Sequence, residues 1–248
     1  MVNTLSRFRL VAWLFVFYVA LCTSLRLLLW FAFGSQAGVA APQLAIILPT
    51  GLLNDLIEAT YLFAPLTLYT ALLSDAQYSS RWNRRLLSIG LALTVLVLLY
   101  LGPVEYYFFE EFDSRFNIVA TDYLIFPHEV FNDIWTAYPV GRTFSMVAAA
   151  TVAILWLARK IIPDSQAQAS DVRHRQWVGA GHMAVLALLV SFVHTGSLSI
   201  GNDRVANQLA INGHSQFFEA LRTSEIDYHA YYRTLSPADS FRILHEQL

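Results

Sequence analysis

The chain is 248 residues long, 56% hydrophobic and only 14% charged, with a mean hydropathy of +0.47 and a formal charge of −2. That balance leaves too little polar surface for a water-soluble domain of this length. Its basic residues are scattered, which excludes a nucleic-acid interface, and its one cysteine, Cys22, excludes an intramolecular disulfide or a cysteine metal site.

A bilayer core of about 30 Å takes roughly 20 apolar residues in helical form, because each backbone polar group must be satisfied within its own segment. Five stretches meet that demand: 10–33, 44–73, 86–109, 144–162 and 177–200. Arg7 and Arg9 precede the first as they would a secretory signal, but the run is too long for a signal core and lacks a small-x-small cleavage site, so it is expected to be retained. The run Val19-Ala20-Leu21-Cys22 is no lipidation box, since Leu21 stands where a small residue is required. The fourth stretch is the shortest, and Arg159 and Lys160 must snorkel toward the headgroups for it to reach full length.

Placing the amino terminus in the cytoplasm puts Arg7, Arg9, Arg81, Arg84, Arg85, Arg159, Lys160, Arg173 and Arg175 on that side, leaving only Arg115 and Arg142 between spans on the other. The expected architecture is therefore all-α. A five-span transmembrane domain covers residues 1–200, including an extracytoplasmic connection at 105–142, and extracytoplasmic linker helices cover 201–248. In the connection, Tyr123, Phe126, Val130, Phe131, Ile134, Trp135 and Tyr138 fall at helical spacing opposite Asp122, Glu129 and Asp133. This predicts an amphipathic helix lying in the interface, bent or broken midway at Pro127. In the tail, Leu209, Phe217 and Leu221 share a helical face, and Ser236, Pro237 and Asp239 form the pattern of a capping box.

Charges inside a span require an explanation, and Arg26, Asp55 and Glu58 are such charges. Both carboxylates fall on one helical face. Two readings follow: an ion pair joining the first two helices, or a polar pocket open to the outer leaflet that binds a headgroup or an ion. Gly51 and Pro65 suit either, by allowing close approach or a kink. His128 and Glu129 are adjacent but lack a second histidine at metal-protease spacing, and His182 and His194 lie at different depths, as packed, hydrogen-bonded histidines do. There is no glycine-rich phosphate loop and no nucleophile elbow.

The stretch from Glu110 through Ile125, followed by His128-Glu129-Val130 and by Trp135 to Pro139, resembles the corresponding stretch of bacterial lipoteichoic acid synthase-like proteins, the membrane phosphoglycerol transferases and related sulfatase-fold proteins of Gram-negative bacteria. Gly51-Leu52-Leu53-Asn54-Asp55-Leu56, with Tyr61-Leu62 and Pro65-Leu66, looks like that family's second span, departing from it at Leu53, where an arginine is often found. Residues Asn207 to Gly213, Phe217-Phe218, Glu225 to Tyr228 and Tyr231 to Leu235 resemble the family's linker to its extracellular catalytic domain.

The resemblance implies an alkaline-phosphatase-like domain with a threonine or serine nucleophile and a divalent metal such as manganese or zinc. None of those positions can be carried onto this chain, which is expected to be a truncated or split gene product with no catalytic residue or cofactor of its own. It implies a module of the bacterial inner membrane, carboxyl terminus periplasmic, that positions a phosphoglycerol transferase at the outer leaflet. Its partners would be membrane lipids, a lipid-headgroup substrate and a separately encoded or missing sulfatase-like domain. On this reading Tyr123, Phe126, Phe131 and Trp135 dock into the bilayer surface, with Asp122, His128 and Glu129 on the polar side, while Glu110, Asp113, Arg115 and Asn117 face the catalytic domain or the lipid head. The alternatives are a small transporter or channel component using Arg26, Asp55 and Glu58, and a scaffold recruiting a separate soluble enzyme.

Overall fold

The computed structural model describes residues 7–123, 127–161, 171–193, 200–223 and 245. Among them there are ten α-helices and no strand. In chain order these are α1 (Arg9–Leu29), α2 (Leu44–Leu72), α3 (Asp75–Tyr78), α4 (Arg81–Phe112), α5 (Ile118–Asp122), α6 (Pro127–Ala137), α7 (Val140–Ile161), α8 (Val172–Phe192), α9 (Arg204–Ala210) and α10 (Gly213–Thr223).

Four helical stretches are long and apolar enough to cross a membrane: Arg9–Gly34, Ala41–Leu72, Arg81–Phe112 and Val140–Lys160. The expected first four spans thus appear with slightly longer bounds. The described part of α8 is not among the four, because Arg173 and Arg175 occupy its first turns and it ends at Phe192. Residues 194–199, His194 among them, lie outside the described residues, as do Phe126, the side chain of Glu129 and the capping pattern at 236–239.

Local chemistry sets the helix ends. The reversal from α2 to α4 carries two serine caps: Ser74 accepts from Gln77 N at 3.3 Å, and Ser80 accepts from Asn83 N at 3.1 Å. Asp113, at φ 50°, closes α4 in the left-handed conformation, its N–H donating to Phe109 O. α6 is described from Pro127 onward, and residues 124–126, where the expected bend or break falls, lie outside the described residues.

The long helices pack as a row, α8 on α2, α2 on α1, α1 on α4 and α4 on α7. Gly179 makes the α8–α2 contact close, since a Cβ there would lie 2.8 Å from that of Ala71. One core centres on Leu14, Tyr18, Phe63, Ala59 and Val95. A second joins Leu25, Leu29, Val39, Ile47 and Phe109 to Leu209 of α9. The row leaves Val16, Phe31, Leu72 and Phe192 at least 70% exposed, a surface that suits hydrocarbon and not water. At one end Arg7 and Arg175 share the Asp75 carboxylate, at 2.8 and 3.0 Å. Exposed Trp82, Trp156 and Trp177 ring that basic end, with Lys160 4.0 Å above the Trp156 ring.

Candidate functional site

The charges singled out inside the spans meet at the opposite end of the row. Arg26, in the last turn of α1, and Asp55 of α2 form a two-pronged pair, Nη1 to Oδ2 at 2.7 Å and Nη2 to Oδ1 at 2.9 Å, with both residues at most 1% exposed. The second prong of Asp55 also accepts from Asn212 Nδ2 at 2.8 Å. Glu58, one turn further along α2, accepts from Ser215 Oγ at 2.7 Å. Asn212 and Ser215 belong to the turn and first residues of the α9–α10 hairpin, so the charges tie the chain after α8 to the first two helices.

The rest of the Arg26 guanidinium addresses backbone. An α-helix ends with four carbonyls that lack intrahelical partners and carry partial negative charge. At the end of α9 each is taken by a side chain from elsewhere. Gln208 O accepts from Arg115 Nε at 3.2 Å, Leu209 O from Arg26 Nε at 2.7 Å, Ala210 O from Asn54 Nδ2 at 2.9 Å, and Ile211 O from Arg26 Nη2 at 3.5 Å. The next helix starts at once, because Asn212 Oδ1 accepts from His214 N and Ser215 N.

Arg115 has a buried partner of its own, Glu105 of α4, at 2.5 Å, and both are about 2% exposed. Its backbone N–H donates to Gln208 Oε1 at 2.8 Å. Arg115 is therefore internal, not directed outward as expected, because the loop after α4 folds back over α9. Phe116 extends that contact, edge to face with Phe108 and with Phe217 of α10. Glu110, Asp113, Asp122 and His128 are exposed, and Asn117 caps α5 through Val119 N. Phe131 and Trp135 stack at 5.6 Å and remain 59% and 55% exposed, on a helix open to its surroundings. Burial pushes the Tyr123 and Tyr138 phenols up, and nearby Glu111 adds to the effect, so both keep their hydroxyl hydrogens at neutral pH. His182 Nε2 lies 3.0 Å from Thr60 O, the hydrogen-bonded packing expected for it.

Two glycines make room for this network. A Cβ on Gly51 would collide with the Arg26 guanidinium, and one on Gly213 with the Glu105 carboxylate. Gly51→Ala should therefore cost about 1–3 kcal/mol of stability through overpacking, read as a lower unfolding midpoint of the detergent-solubilised chain. An unchanged midpoint would mean that Arg26 relocates without loss. Tyr18, Glu105, Gln208, Asn212, His214 and Ser215 were not among the residues expected at the site. For Gln208, Asn212, His214 and Ser215 the trace in the sequence is the cluster of polar residues between Asn207 and Ser215, whereas Tyr18 and Glu105 sit in the first and third apolar stretches.

No family model and no solved structure matches this chain.

Proposed function

We propose that this chain is the five-span membrane module that anchors and orients a phosphoglycerol or related phospho-headgroup transferase of the lipoteichoic acid synthase-like, sulfatase-fold kind. It works at the outer leaflet of a bacterial inner membrane, with its amino terminus cytoplasmic. The apolar stretch 177–200 is the fifth span of this reading, and the basic end faces the cytoplasm by the positive-inside rule. The observation that carries the reading is the capture of all four terminal carbonyls of α9 by Arg26, Asn54 and Arg115. A chain leaving the membrane through so fixed a hairpin can hold whatever follows at a set height and angle above the lipid, which is what transfer from a lipid headgroup needs. The exposed stack of Phe131 and Trp135 on α6 suits docking at headgroup level. All three guanidinium nitrogens of Arg26 are engaged, which favours anchoring over ion passage.

The test is made in the host membrane. Deleting the gene should lower formation of labelled diacylglycerol from phosphatidylglycerol at the outer face by roughly tenfold, the loss expected when an enzyme is no longer held at its substrate. The full chain should restore it, while Asp55→Ala, inserted at equal level, should not. Undiminished transfer after deletion would refute the assignment.

A further inference from the structure

A cavity of about 590 Å³ lies between α2, α4, α7 and α10, roofed by α5 and α6. Its volume is typical of a pocket for one small ligand. Its long wall is α4 from Val97 to Phe112, about 22 Å at 1.5 Å per residue, somewhat more than the roughly 15 Å of hydrocarbon in one leaflet. Apolar and aromatic side chains form nearly all of the lining.

The few polar groups define what can enter. Glu58 and Glu111 line the cavity and, among the described residues, no lysine or arginine does, so an anionic group would meet like charge within it. His214 lines it too, and its ring faces the Tyr18 hydroxyl. The Tyr18 hydroxyl is 3.0 Å from His214 Nδ1 but 3.3 Å from Asn212 Oδ1, which already accepts from two backbone N–H groups. We assign the Tyr18 hydrogen to the shorter contact, Nδ1, which places the ring hydrogen on Nε2. That nitrogen is buried and has no hydrogen-bond partner among the described residues. A buried donor without an acceptor is costly, and an oxygen supplied by a ligand relieves that cost.

We propose that this cleft binds one glycerolipid that carries no net negative charge, diacylglycerol or phosphatidylethanolamine. An acyl chain lies along α4, and His214 Nε2 donates to an acyl-ester carbonyl. The proposal requires only that the helices sit in a bilayer, and it stands whether or not the chain serves a transferase.

Native mass spectrometry of the full chain, purified in mild detergent and supplied with defined lipids, tests it. One diacylglycerol or phosphatidylethanolamine should be retained per chain, in preference to phosphatidylglycerol. A diether phosphatidylethanolamine, lacking ester carbonyls, should be held about five- to tenfold less well, the effect of one hydrogen bond. His214→Ala should weaken the ester lipid by a similar factor and leave the diether unaffected. Val104→Trp, which fills the cleft from the α4 side, should abolish retention while helicity is kept. Equal retention of ester and diether lipids would overturn the proposal. So would preference for phosphatidylglycerol, or binding indifferent to Val104→Trp. A photoreactive group at Leu98 that cross-links to residues 224–248 or to a second copy of the chain would show another occupant and overturn it as well.

Discussion

Arg26→Ala is expected to lower the stability of the detergent-solubilised chain by about 3–5 kcal/mol, the scale observed when one partner of a buried pair is removed. Two losses combine. Asp55, fully buried, keeps Asn212 Nδ2 as its one side-chain donor among the described residues, and the carbonyls of Leu209 and Ile211 lose theirs. Adding Asp55→Ala removes the stranded carboxylate and should return part of the loss, whereas the α9 carbonyls stay uncapped, so recovery is incomplete. Denaturant titration followed by helix content measures both steps. Strictly additive losses would show that the two side chains are not energetically coupled. Hydrogen exchange supplies a second readout, with faster exchange at 205–215 in the single variant than in the native chain.

Glu105→Ala should cost a similar 3–5 kcal/mol, because Arg115 would be left buried without its counter-ion. The effect spreads along a particular path. Arg115 holds Gln208 through both its backbone N–H and its Nε, so losing the pair should loosen α9 and the 113–117 turn together while the basic end is unaffected. Limited trypsin digestion checks this, since Arg115, about 2% exposed in the native protein, should become a cleavage site. Continued resistance at Arg115, with stability unchanged, would mean that its packing and not the ion pair holds the turn. Gly213→Ala should loosen the same region, because the added methyl displaces the Glu105 carboxylate.

The long helices were legible because a membrane demands a length of apolar chain, and that demand is written residue by residue. Arg26, Asp55 and Glu58 stood out for the same reason, as polar residues against an apolar background, and the pairing of Arg26 with Asp55 follows from their shared depth. The remaining partners of the site were not legible. Backbone carbonyls at 208–211 are acceptors in any sequence, and nothing in Leu209 or Ile211 announces that a guanidinium will meet them. Arg115 reads as a surface residue because it stands in a polar loop, and only the fold of that loop over α9 buries it. The described part of α8 is not among the candidate spans because Arg173 and Arg175 occupy its first turns, while residues 194–199 lie outside the described residues.

The spread of contacts around Arg26 has a consequence for how the protein is made. Its carboxylate partner is 29 residues downstream, and the carbonyl that receives its Nε is 183 residues downstream. An arginine entering the lipid alone costs a few kcal/mol, so α1 is poorly suited to leave the insertion machinery before α2 has been synthesised, and the two are best released together as a hairpin. The network then waits, half-built, until the far end of the chain arrives. Closure of α9 over Arg26 is the event that distinguishes a finished molecule from one still in assembly.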